Sequence, residues 1–229
     1  MPVLDEAVAI APHLSQLRQH ASLNAVIVVD GGSRDGTREI VQALIDNGAS
    51  TGEIPVYLID APCGRALQMN AGAAESHADV LLFLHADTRL PTGAIEEVRA
   101  AISRGATWGR FNIRLDSEHG LFRVIEWFMN ARSALTRIAT GDQAIFVRRD
   151  VFHMLDGYAP IALMEDVELC SRLKWVGQPT RIRMSVMAST RRWRAGGIVR
   201  TVMLMWGLRL LYWFGVAPTR LQRLYRATR

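Results

Sequence analysis

The 229-residue sequence predicts an α/β fold, doubly wound around a mostly parallel sheet. Two observations carry that expectation. Up to residue 105, short apolar runs alternate with helical segments, as strands buried on both faces require. Acidic residues then stand just past the ends of those runs. Asp30 closes the run 25–29 and Asp87 follows the run 80–84, positions that face the crevice beyond the ends of parallel strands, where ligands bind.

The elements follow in order. Helical spacing covers 5–20, a strand 25–30, and a helix 37–47 that Gly48 stops. The next strand, 56–60, ends on Asp60, and a helix over 65–76 leads to the strand 80–84. Residues 91–104 are helical, with Pro91 near the first turn. The second half breaks the rhythm, with strands at 107–115, 143–147 and 181–188 and helices at 121–138 and 165–176, the last ended by Gly177. Pro2 and Val3 stand where a first central strand would end, so that strand is expected to be truncated. The expected organisation is one domain over 1–195 and an amphipathic C-terminal helix over 196–229.

Charge divides the chain unevenly. The net charge is +5, yet the segment from Arg181 onward holds 11 arginines and no Asp or Glu, leaving residues 1–180 with a net of −6. A basic tail of this kind meets phosphates, on nucleic acid or on anionic lipid. Trp206, Tyr212, Trp213 and Phe214 lie among leucines in it, flanked by Arg194, Arg200, Arg220 and Arg223, as in an interfacial membrane helix. The alternative is a helix packed on the body or on a second subunit. The apolar run 202–217 is interrupted by Arg209 and has 16 residues, fewer than the roughly 20 that span a bilayer. So apolar a surface does not suit a wet nucleic-acid groove, and no nucleic-acid partner is expected. The acidic N-terminus lacks the apolar core of a signal peptide, and two cysteines, Cys63 and Cys170, cannot make a disulfide framework. Both features point to the cytoplasm, with the tail resting on the inner face of the membrane.

A third acidic cluster, Glu165-Asp166, arrives late enough in the chain to close over the crevice. A nucleoside diphosphate held with a divalent cation accounts for carboxylates so arranged, since Mg²⁺ and Mn²⁺ take hard oxygen ligands and substrate phosphates. Asp87 is the first metal candidate and His85 the second, imidazole suiting Mn²⁺ better than Mg²⁺.

The motifs in order resemble those of the family-2 glycosyltransferases, which have the GT-A nucleotide-sugar fold. Pro2–Glu6 resembles the end of that family's first strand, and Val28–Thr37 its Ser-x-Asp-Gly-Thr turn. The segment 64–72 is similar to Gly-x-x-x-Ala-x-Asn-x-Gly, and His85-Ala86-Asp87 stands at the Asp-x-Asp position. Gly141-Asp142-Gln143, Glu165-Asp166 and Arg191-Arg192-Trp193 complete the series, and the wording of 85–88 and 164–169 is similar to the bacterial subgroup called selenodomain-associated transferase 2.

The resemblance implies an inverting transfer of a sugar from a nucleoside-diphosphate donor to a hydroxyl acceptor, which the apolar tail suggests is lipid-like. It implies that Asp166 is the general base and Glu165 orients the acceptor or the base. It assigns Asp30, Gly31, Asp60, Arg65, Asn70, Asp142, Arg192 and Trp193 to nucleotide-sugar binding, and Asp87 with His85 to the metal. Each has a plainer reading. Asp30 fits a turn and helix cap, Glu165 and Asp166 fit an acidic helix N-terminus, Arg65 a solvated helix position, and Trp193 simple packing. The alternative for the whole chain is a non-catalytic nucleotide-binding scaffold. Ser189 stands where processive family members have Gln, so long-chain synthesis is not expected.

Overall fold

A computed structural model describes residues 1–20, 22–48 and 54–227. The chain opens with β1 (Pro2–Val3), α1 (Ala7–Leu17), β2 (Val26–Asp30), α2 (Thr37–Gly48) and β3 (Val56–Asp60). These strands form a three-stranded parallel sheet in the order β1-β2-β3. Val28 and Val29 are wholly buried, as a central strand covered on both faces requires. The two-residue β1 pairs with β2 through Pro2↔Val29 and Val3↔Asp30. Asp30 and Asp60 are register partners, so β2 and β3 end level with each other.

The second sheet is mixed. After α3 (Arg65–Ala74) come β4 (Val80–Phe83), β5 (Thr88–Arg89), α4 (Ala94–Ser103), β6 (Trp108–Leu115) and α5 (Gly120–Thr136). A 3-10 turn at Gly141–Gln143 precedes β7 (Ile145–Arg148), α6 (Arg149–Met154), α7 (Glu165–Val176) and β8 (Thr180–Ala188). The strand order is β4-β7-β6-β8-β5, with β6 and β8 parallel and the other pairs antiparallel. The parallel arrangement is therefore carried by the first sheet and the β6–β8 pair. Buried apolar strands such as β7 satisfy either direction equally, because burial on both faces leaves no pattern that encodes it.

Trp108 anchors the middle of this sheet. Its ring is completely buried, and its indole N–H donates to the Gly177 carbonyl at 2.8 Å, tying β6 to the end of α7. The tail is three helices: α8 (Arg191–Gly196), α9 (Ile198–Trp213) and α10 (Pro218–Ala227). Gly215, with φ at 81°, and Pro218 break what the sequence predicts as one helix. Leu208 of α9 and Leu221 of α10 are buried against Met164, so the tail packs on the segment that leads into α7. Arg191 adds a second attachment, an ion pair with Glu6 at 2.8 Å.

Candidate active site

At the end of the first sheet, the chain uses its own carboxylates to shape the loops. The Asp30 carboxylate, almost fully buried, accepts from the backbone N–H groups of Gly32 and Ser33 at 3.1 Å, and from the Ser33 hydroxyl. Asp35 accepts from the backbone N–H of Ala7 at 2.9 Å and of Thr37 at 3.0 Å, pinning the starts of α1 and α2 together. Gly31 leaves room for Gln68, whose side-chain amide donates to the carbonyls of Val3 and Val29 at 2.8 and 2.9 Å. Asp60 is exposed and paired with Arg38.

A cavity of about 360 Å³ gathers most of the remaining candidates. Arg65, at the start of α3, His85 and Asp87 after β4, and Asp142, Glu165 and Asp166 all line it. Trp193 lines it too, with its ring edge-on to Phe122 at 6.4 Å. Asp30, Gly31, Asp60 and Asn70 lie outside it. The side chain of Arg192 lies outside the described residues.

Local structure explains how the acids converge. Met164 has a left-handed backbone (φ 72°), uncommon for a residue with a β-carbon, and delivers Glu165 and Asp166 into the first turn of α7. Asp166 accepts from its neighbour Val167 N–H at 2.7 Å and from Gly141 N–H at 2.9 Å, joining α7 to the 3-10 turn. That turn is held in place by Gln143, which accepts from the Ser133 hydroxyl of α5 at 2.7 Å. The His85 ring lies against Gly141 so closely that a β-carbon there would come within 2.4 Å of it. Any side chain at position 141 would displace either the imidazole or the turn that carries Asp142.

The carboxylates share a poorly solvated corner. Burial, followed by the charge of Asp166, pushes the Glu165 carboxyl up to about 7, against a smaller opposing pull from Arg65. Burial likewise raises Asp142, opposed by a hydrogen bond from Thr140 and reinforced by Asp166. One oxygen of Asp142 is shielded and has no hydrogen-bond partner among the described residues. A carboxyl that holds its proton near neutrality, as Glu165 does, is suited to proton transfer.

For a cation, the donor set is small. No cluster of three or more His, Cys, Asp or Glu poised around a metal occurs among the described residues. Asp87 and His85 fit a cation bound together with substrate phosphates, which take up the other coordination positions, rather than one held in an all-protein cage.

Asn70 serves the scaffold. Its amide nitrogen donates to the Tyr158 carbonyl at 2.8 Å while its oxygen accepts from the Tyr158 N–H at 2.9 Å, clamping α3 to the loop before α7. Asn70→Ala is expected to cost about 2 kcal/mol, since two backbone groups lose their partner. Urea unfolding would show the loss as a lower midpoint at unchanged slope.

Motif reading missed Gln68, Arg132 and Arg209. Gln68 lies inside the recognised segment 64–72, at the position where the motif has Ala, and that departure was its signal. Arg132 and Arg209 line the cavity from α5 and α9. The signal for Arg209 was its isolation in an apolar run, which the sequence reading uses only as an obstacle to spanning. Among the described residues no helix is long and apolar enough to cross a membrane.

The profile of the family Glycosyl transferase family 2 matches residues 1–156. The fold is similar to that of S. aureus TarS 1-349, at 13% identity and a TM-score of 0.65, over 82% of this chain and 59% of that one. It is similar to the mannosyltransferase PcManGT from Pyrobaculum calidifontis, a structure in complex with GDP-Man and Mn²⁺, at 18% identity and a TM-score of 0.63, over 99% and 68% of the chains. A mycobacterial protein matches at 15% identity and a TM-score of 0.54, over 82% and 63%. This chain thus spans less than two thirds of the first and third of these structures. No curated protein matches it.

Proposed function

Because the chain belongs to glycosyl transferase family 2 and has the GT-A fold, we propose that it moves a hexosyl or related sugar from a nucleoside diphosphate to a hydroxyl acceptor, with inversion. One observation carries the reading: Asp87 and the adjacent pair Glu165-Asp166, remote from it in sequence, line one cavity. Asp166 faces that cavity with lone pairs beyond the two that Gly141 and Val167 use, and takes the acceptor proton as the hydroxyl attacks the anomeric carbon. Glu165 beside it orients the acceptor and tunes the base. The donor runs from Asp30, Gly31 and Asp60 at the ends of β2 and β3 towards the cavity, where Arg65 meets its diphosphate and Asp87 would reach it through a cation. Asn70 holds the loop beside that path, Arg192 contributes to diphosphate binding, and Asp142 and Trp193 border the sugar.

A divalent cation, Mn²⁺ or Mg²⁺, held by Asp87 with His85, would neutralise charge on the leaving diphosphate. The wording of residues 85–88 and 164–169 supports placement in the selenodomain-associated transferase 2 subgroup.

Calorimetric titration of UDP, GDP and their sugars with Mn²⁺ tests the donor site. Wild-type protein is expected to bind one nucleotide class in a metal-dependent way, and Asp87→Ala to lose that dependence. Absence of binding by folded protein to all of them would instead favour a non-catalytic scaffold.

The acceptor is proposed to reach the site from a membrane. Trp127 and Phe128 of α5 and Trp206 and Trp213 of α9 are exposed, as is Phe214, and arginines flank the tail. Aromatic residues among arginines suit the headgroup region of the inner membrane face. The protein is expected to float with anionic liposomes, less so at high salt, and Trp213→Glu to reduce flotation. Protein that stays in the soluble fraction at low salt would refute membrane contact.

A further inference from the structure

Two arginines in the cavity are unused by the donor chemistry. Arg132 projects from α5 and Arg209 from α9, and both line the space that contains Asp142 and Asp166. Arg132 donates to the Ser133 hydroxyl at 3.0 Å. The Arg209 Nε is buried without a hydrogen-bond partner among the described residues. Neither guanidinium forms an ion pair within 4.0 Å with any described carboxylate, although four carboxylates line the same cavity.

The arginines also work against each other. Burial, and then the charge of Arg209, lowers the Arg132 guanidinium to about 10, with Asp142 and Asp166 opposing. Two cations turned towards one poorly solvated space repel unless an anion sits between them. The wall beside them is apolar: Ile125 and Phe128 of α5, and Val202, Met205 and Trp206 of α9. That wall continues to the outside, because Phe128 and Trp206 are also exposed. A molecule with an anionic head and an apolar chain matches both halves.

We infer that the acceptor side of the cavity binds a phosphate-bearing amphiphile, its phosphate between Arg132 and Arg209 and its chain along Val202, Met205 and Trp206 towards the exposed face of α9. Guanidinium groups suit phosphate because their forked donors match its oxygens in pairs. This assignment names the substrate class of the proposed transfer and rests on that reading for its role as acceptor. The binding itself stands independently.

The same chemistry has two sources, a phosphate monoester of a long chain or a phosphodiester lipid with a headgroup hydroxyl. Calorimetry with decyl phosphate and with dihexanoyl phosphatidylglycerol, each below its micelle concentration, separates them. Decanol and inorganic phosphate serve as controls. At least one of the two phosphate amphiphiles is expected to bind about tenfold or more tighter than either control, as bonds to charged groups require. Arg209→Gln is expected to weaken that binding by about tenfold, and the double variant with Arg132→Gln by more. UDP and GDP affinities should stay unchanged in both variants.

Equal affinity for decanol and decyl phosphate, with no advantage for the phospholipid, would overturn the assignment on wild-type protein alone, whatever the variants do. So would unchanged amphiphile binding in the folded double variant, or loss of nucleotide binding in Arg209→Gln, which would give these arginines to the donor. Failure of the donor titration leaves the amphiphile titration readable, so the two readings fail separately.

Discussion

Asp166→Asn is expected to slow sugar transfer by about 10²–10⁴-fold while donor affinity stays near wild type. The asparagine oxygen can still accept from the Gly141 N–H, now made at 2.9 Å, so the link between α7 and the 3-10 turn survives. What it cannot do is take a proton from an attacking hydroxyl. Its amide NH₂ also faces the Val167 N–H that now donates to the second oxygen, a local cost that folding measurements would register separately. Single-turnover transfer at saturating donor, beside calorimetry of the donor alone, separates the two effects. A fall of less than tenfold in rate would remove Asp166 as the base and turn attention to Glu165. A parallel loss of donor binding would mean that the substitution had collapsed the corner rather than silenced it.

The acids that define this corner were legible in the sequence because each obeys a positional rule. Asp87 follows an apolar strand, and Glu165 and Asp166 open a helix, so the periodicities place them before any coordinates do. Asp30 obeys the same rule, yet its carboxylate turns inward to hold the Ser33 loop. Position at a strand end does not fix where a side chain points. Strand direction in the second sheet was illegible for the reason given by β7, whose buried apolar residues would suit a parallel or an antiparallel partner. β5, at two residues, is too short for any periodicity, and α6, at six, barely exceeds a turn.

The break in the tail was present as Gly215 followed by Pro218, but the apolar and basic composition around it reads as one helix. Arg132 and Arg209 illustrate a different limit. On sequence each is an arginine on a helix, where solvation is the ordinary fate, and only the packing of α9 beside α5 turns both into one cavity. Groups whose role depends on two elements meeting carry no local signature.

Replacing Glu165 by Gln is expected to make the protein more stable at pH 8, by on the order of 3 kcal/mol, and to give no gain at pH 4. The sign follows from where the proton sits. Folding raises this carboxyl from its ordinary 4.5 to about 7, because it is buried and faces Asp166. Below 4.5 both folded and unfolded chains hold the proton, and Glu165 costs nothing. Between 4.5 and 7 the folded protein keeps a proton that the unfolded chain has released, so stability falls as pH rises through that window. Above 7 the full cost of a buried carboxylate remains. Glutamine carries no charge to desolvate and leaves this dependence out, although Arg65 then loses an opposing charge. Urea unfolding of both proteins at pH 4 and pH 8 provides the test, read as the difference between them so that every other titrating group cancels. An identical difference at the two pH values would show that Glu165 does not hold a proton at neutrality. If the gain at pH 8 appears together with a loss of transfer, the wild-type residue destabilises the fold at the place where it is used. That is the signature of a site kept for chemistry rather than for stability, and an acidic helix N-terminus serving only its own helix would show the opposite.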